Sequence, residues 1–173
     1  TNRCQADQRH AERHDMTKTL FINARLIDPV ALTDAPGALL VEDGKISRVF
    51  DETHPDITGP AVVDCGGKCL APGIVDIGVK VSEPGERHKE SFRSAGRAAA
   101  AGGVTTIVTR PDTTPAIDTP ETLEFVARRA ALDAPVRVLP MAALTKGRDG
   151  REMTEIGLLT DAGAVAFTDC DRV

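Results

Sequence analysis

Apolar and polar positions along the chain change rhythm twice. The opening stretch, TNRCQADQRHAERHD, is polar and charged with no apolar period. Residues 1–15 are therefore expected to be a disordered leader, or translated sequence upstream of a start at Met16. From Thr19 short β-rich runs follow one another: TLFINARLID, ALLVEDGKISRVF and AVVDCGGKCLAPG, broken by Asp-Pro, Asp-Gly and Gly-Gly turns. Within the second run, Glu42-Asp43-Gly44-Lys45 predicts a hairpin, because Asp-Gly supplies the positive φ angles of a type I′ turn. Residues 16–70 are expected to form a small antiparallel, β-rich side domain.

After Pro72 strands alternate with helices. GIVDIGVKV reads as a strand, and KESFRSAGRAAAAGG as a helix stopped at Gly102-Gly103, where glycine tolerates a left-handed cap. VTTIVT is the next strand. Thr119 then caps a helix through ETLEFVARRAAL, with Pro120 at the first position, where its missing N–H costs nothing. VRVLPMAAL, EMTEIGLLTDAG and AVAFT complete the series as strand, helix and strand. Such alternation predicts parallel βαβ units, hence an α/β class for residues 71–173.

A closed (β/α)8 barrel takes about 250 residues, and roughly 100 follow Pro72. Four strands with an apolar open edge read as part of a barrel. The chain is expected to be a fragment of a longer protein, with a small open α/β domain as the alternative.

Composition narrows the field. Apolar residues make up 41% but aromatics only 3%, so the core must be built from Ala, Val, Leu and Ile, as in buried parallel sheets. The net charge of −5 argues against a nucleic-acid or anionic-membrane surface, either of which needs a basic field. No apolar run approaches the ~20 residues of a membrane span, and no secretory signal opens the chain. A cytoplasmic protein is expected.

The four cysteines are Cys4, Cys65, Cys69 and Cys170. Cys65 and Cys69 have a C-x3-C spacing, but no second pair of ligands follows, and a closed zinc site needs four. Buried thiols at strand ends are the expected state.

Residues 71–85, APGIVDIGVKVSEPG, resemble the dihydroorotase branch of the cyclic amidohydrolases. So do HKESFRSAGRAAAAGGVTTIV at 88–108, RPDTTPAID at 110–118 and GAVAFTDCDRV at 163–173. The resemblance runs from Met16 to Val173 with its motifs in order. It implies part of an amidohydrolase-type (β/α)8 TIM barrel, preceded by a β-rich side domain.

In that family the first barrel strand reads Asp-x-His-x-His-x-Arg. Alternate residues of a strand share a face, here the barrel mouth. The imidazoles hold a zinc ion, which lowers the pKa of bound water. On the same spacing Asp76, Gly78, Lys80 and Ser82 are expected to share one face. Gly78 stands at the first histidine with no ligand. Lys80 stands at the second, and its ammonium has no lone pair. Ser82 replaces the arginine that grips the substrate carboxylate by two bonds. The family's Met-Pro-Asn-Thr is Arg110-Pro111-Asp112-Thr113, so a substrate-binding amide becomes a carboxylate at Asp112. The second aspartate of Phe-Thr-Asp-Asp-Gly, a metal ligand in the family, aligns with Cys170.

Taken singly, Gly78 has an alternative reading as a packing glycine and Lys80 a lesser one as a snorkelling side chain, while Asp112 reads more readily as a turn residue than as a site residue. Taken together, the resemblance implies a coordinated loss of metal and substrate groups, while Glu83-Pro84-Gly85 and the helix stops keep the pattern needed for folding. No cofactor is expected, and no catalytic residue is intact among those present. The implied role is a noncatalytic, oligomeric dihydroorotase homologue of pyrimidine synthesis, acting as a structural partner of aspartate transcarbamoylase. The alternative is an active zinc amidohydrolase that opens dihydroorotate to carbamoyl aspartate, using Cys170 and later ligands. A third possibility is an anion pocket at Lys80, against which Asp112 predicts a neutralised pair.

Overall fold

The computed structural model describes residues 18–172, so the polar leader and Met16 lie outside the described residues. Contacts divide the chain into two units, one ending at Pro72 and one beginning at Gly73.

In the first unit β1 (Lys18–Asp28) is central. β2 (Thr33–Glu42) pairs with it antiparallel, and β3 (Lys45–Phe50) pairs antiparallel with β2. The turn between β2 and β3 has φ of 51° at Asp43 and 74° at Gly44, the two positive values that the Asp-Gly pair predicts. β4 (Ala61–Asp64) and β5 (Cys69–Leu70) lie along the other edge of β1 and run parallel to it. The sheet is therefore mixed, which corrects the antiparallel expectation. β3 and β4 run in one direction at opposite ends of the order β3-β2-β1-β4. Residues 51–60 must cross the sheet to join them, and in doing so they lay Ile57 against the buried cluster of Leu20, Ala38, Leu40 and Phe50. Each large apolar side chain so buried contributes about 1.5–3 kcal/mol.

The second unit is a three-stranded parallel sheet in the order β6-β7-β8, formed by Ile74–Val79, Val104–Thr109 and Arg137–Pro140. α1 (Phe92–Ala101) connects the first two strands and α2 (Pro120–Asp133) the next two. Ser91 caps α1 through a reciprocal box with Ser94, and Gly102 and Gly103 end it, Gly103 with φ of 77°. Thr119 caps α2 with Pro120 at its first position, as its sequence predicts. Phe92 and Ala95 from α1, Leu123, Val126 and Ala130 from α2, and Ile107 from β7 make the core.

Several predicted elements come out shorter, the strand VRVLPMAAL as Arg137–Pro140 and the last helix and strand most of all. α3 spans only Ile156–Asp161. The Thr154 hydroxyl donates to the Ala143 carbonyl at 2.8 Å, which holds the segment before α3 against the loop after β8 rather than in the helix. The predicted strand AVAFT forms one parallel bridge, Phe167 with Ala142. It follows the chain just beyond β8 through three backbone bonds, Val165 to Pro140, Ala142 to Ala166 and Thr168 to Ala142. Among the described residues no helix is long and apolar enough to cross a membrane.

Candidate functional site

Ligands of parallel α/β folds bind beyond the carboxyl ends of the strands, and there the predicted positions collect. After a first shift beyond Ile74, β6 pairs with β7 in register from Val75 and Thr106 to Ile77 and Val108, then resumes with Val79 and Thr109. Gly78 is the extra residue between those pairs, a bulge with φ of 92°. A left-handed backbone of this kind strains any residue with a Cβ. The extra residue interrupts the two-residue period, so the expected common face of Asp76, Gly78, Lys80 and Ser82 is not set by alternation. Lys80 and Ser82 moreover lie past the end of β6.

Lys80 Nζ lies 3.0 Å from Asp112 Oδ2. Arg110 Nη2 reaches the same oxygen at 3.1 Å. The Asp112 side chain is 4% exposed, and Lys80 is 56% exposed. The neutralised pair predicted for Lys80 and Asp112 is thus present, with a second cation on the same oxygen. Oδ1 of Asp112 is buried without a hydrogen-bond partner.

The charges continue across the strand ends. Asp171 Oδ1 lies 3.7 Å from Arg110 Nη2 and 3.5 Å from Arg148 Nη1. Arg148 Nη1 donates to the Asp169 carbonyl at 3.3 Å. The Asp169 carboxylate accepts from the Leu144 and Thr145 N–H groups, each at 3.0 Å, and from the Thr145 hydroxyl at 2.7 Å. Burial pushes the Asp169 carboxyl up, but the bonds from Thr145 and Leu144, with Arg148 nearby, outweigh it and hold the group below its ordinary value. A cleft of about 460 Å³ opens beside this chain of charges, lined by Gly78, Arg110, Met141, Phe167, Cys170 and Asp171.

Cys170 is half-buried with φ of 61°, and its N–H donates to the Thr168 hydroxyl. Contact with Cys170, opposed by burial and aided by Asp112 and Asp171, holds the Arg110 guanidinium above its usual value. The other described thiols correct the expectation of burial. Cys65 is half-buried after β4, and Cys69 is exposed because its two-residue strand lies at a sheet edge.

Behind Lys80 a second network fixes the loop. Glu83, 4% exposed, accepts from the Phe92 N–H at 3.1 Å and from Arg129 Nε at 3.0 Å, with Arg87 Nε at 3.3 Å. Sequence reading treated Glu83 as a turn residue and missed this role, because Phe92 lies nine residues on and Arg129 forty-six. Arg148 and the Asp169 acceptor role were likewise not singled out, since their partners are more than twenty residues away.

The dihydro-orotase-like family model matches residues 67–173. The chain belongs to the dihydroorotase-like family. It is 41% identical over 150 residues to a dihydroorotase of Sulfurihydrogenibium sp. (strain YO3AOP1), covering 87% of this chain and 35% of that protein. With a dihydroorotase of Aquifex aeolicus (strain VF5) the identity is 36%, over 89% of this chain and 36% of the relative. The chain thus spans about a third of the length of these curated relatives. Among solved structures, an L-hydantoinase (dihydropyrimidinase) from Arthrobacter aurescens superposes with a TM-score of 0.73 at 28% identity, over 88% of this chain and 32% of the other. A crystal structure of a dihydroorotase gives 0.55 at 14% identity, over 87% and 42%, a likeness of fold alone. The mixed α/β fold therefore has its neighbours in the amidohydrolase superfamily.

The dihydroorotase-like family normally uses zinc, and positions 78 and 80 of this chain supply it no donor. Position 78 offers no side chain, and position 80 offers an ammonium already committed to a carboxylate. Among the described residues no three His, Cys, Asp or Glu side chains converge closely enough to hold a metal ion.

Proposed function

We propose that this chain is the N-terminal part of a dihydroorotase-like protein that hydrolyses nothing and serves as a structural partner of aspartate transcarbamoylase. On this reading its second unit is the first part of an amidohydrolase (β/α)8 barrel kept for shape and surface. The observation that carries the proposal is the Lys80–Asp112 contact at 3.0 Å, where the family sets its second histidine. An ammonium repels a divalent ion and has no electron pair to give it. The loss of the carboxylate-gripping arginine at Ser82 supports the same reading, because a lone hydroxyl cannot reproduce a bidentate charged pair.

The full-length protein tests this directly. Purified alone, it is expected to retain no stoichiometric zinc and to open no dihydroorotate. Mixed with aspartate transcarbamoylase, it is expected to co-sediment. Separate sedimentation of the two proteins would remove the partner role, and zinc-dependent ring opening would remove the noncatalytic one.

The second reading is an active zinc-dependent cyclic amidohydrolase, favoured by the 41% identity to a dihydroorotase. It needs ligands from beyond this chain, with Cys170 as one of them. Replacing Gly78 and Lys80 by His, Ser82 by Arg, Asp112 by Asn and Cys170 by Asp separates the readings. Little activity is expected to return unless the later ligands survive, and strong recovery would show that these positions alone had failed.

A further inference from the structure

We propose that Lys80, Asp112 and Arg110 form a fixed-charge lock that takes over the cross-linking role a metal has at this mouth. The inference rests on the noncatalytic reading above and adds to it a positive function for the changed residues.

Three observations lead to it. Asp112 is nearly fully buried, and among the described residues the charged partners of its carboxylate are Lys80, just past β6, and Arg110, just past β7, both on Oδ2. Two cations on one carboxylate join the strand ends, and the ammonium and guanidinium so engaged offer a metal ion no electron pair. Arg110 also holds β6 through its backbone, its N–H donating to the Val79 carbonyl at 2.9 Å.

The lock is continuous with its surroundings. Through Asp171 and Arg148 the charges pass to the Asp169 carbonyl, and through the Asp169 carboxylate to Leu144 and Thr145 after β8. The strand ends that a metal would gather are therefore stitched by side chains of the chain itself. The bulge at Gly78 belongs to the same arrangement, since its backbone disfavours a histidine there.

A buried carboxylate with two cations tolerates loss of one better than loss of both, because the last removal strands a desolvated charge. This gives the lock a signature that a set of independent surface pairs lacks. In the full-length protein, Lys80→Met and Arg110→Met are each expected to lower the melting temperature modestly. The double variant is expected to lose more than the sum of the two. Adding Asp112→Asn to the double variant is expected to restore much of that loss, since the stranded charge is gone. Should the double variant not fold, recovery of folded protein in the triple variant reports the same coupling. Zinc or a chelator is expected to leave the wild-type melting temperature unchanged.

Additive losses with no rescue by Asp112→Asn, in a protein that takes up no zinc, would overturn the lock and leave the noncatalytic reading standing. Stoichiometric zinc that raises the melting temperature would overturn both.

Discussion

Arg129 Nε donates to Glu83 Oε1 at 3.0 Å, joining α2 to the loop after β6. The other oxygen of Glu83 accepts the Phe92 N–H at the start of α1. One buried carboxylate thus satisfies an orphan helix N–H and two arginines, and it holds the segment that presents Lys80.

Glu83→Ala is expected to destabilise the protein by about 2–3 kcal/mol, the range for hydrogen bonds to a charged group when partners are left behind. Chemical denaturation measures it. Glu83→Gln should recover only part of the loss, because an amide keeps the geometry without the charge. Equal midpoints for wild type and the alanine variant would show that the network carries no stability.

At Gly78 the backbone itself opposes the family's histidine. A Cβ there would meet nothing within 4 Å, so space is not the obstacle, but φ of 92° is. Both Gly78→Ala and Gly78→His are expected to cost about 1–2 kcal/mol, with similar values because the strain lies in the main chain. A histidine variant as stable as wild type would mean that the bulge relaxes freely.

Asp169 makes the mouth acid-sensitive. Its folded-state pKa is depressed, so its contribution is present above the unfolded value of about 3.9 and is lost as pH falls through the lower, folded value. Asp169→Asn is expected to be less stable than wild type at neutral pH. The gap should shrink on acidification below about pH 4, because protonation then removes the same charge from wild type. Melting curves between neutral pH and that range check the prediction; a gap that widens in acid would refute it.

Gly37 in β2 is a test of packing in the first unit. A Cβ there would lie 2.5 Å from the Phe50 carbonyl oxygen and 2.8 Å from Leu26 Cδ1. The first neighbour is backbone held in the β2–β3 ladder and cannot swing aside. Gly37→Ala is expected to cost about 1–3 kcal/mol, the range for overpacking. Denaturant titration of the variant reads it, and a neutral result would require β3 to shift.

Restoring Asp-x-His-x-His-x-Arg is a weaker intervention than its motif implies. Lys80→His removes one cation from Asp112, and Gly78→His adds strain. The restored chain is expected to melt below wild type when zinc is withheld. A melting temperature equal to wild type under a chelator would argue against this.

Much of the fold was readable along the chain. Asp43-Gly44, Thr119-Pro120 and Gly102-Gly103 each act on neighbours within four residues, so turn, cap and stop follow from local chemistry whatever the rest of the molecule does. The family was legible for the related reason that its motifs are contiguous, and the family match over residues 67–173 agrees.

Relationships across the chain were decided by tertiary structure. Nothing local told that β4 and β5 would run parallel to β1, that Cys69 would be exposed at an edge, or that one extra residue at Gly78 would break the period meant to align Asp76 with Lys80. Glu83 finds Arg129 and Asp169 finds Thr145 only after helices and strands have packed. A sequence states which charges and hydrogen-bonding groups a chain owns; only folding sets the distances between them, and Coulomb attraction and hydrogen bonding both depend steeply on distance.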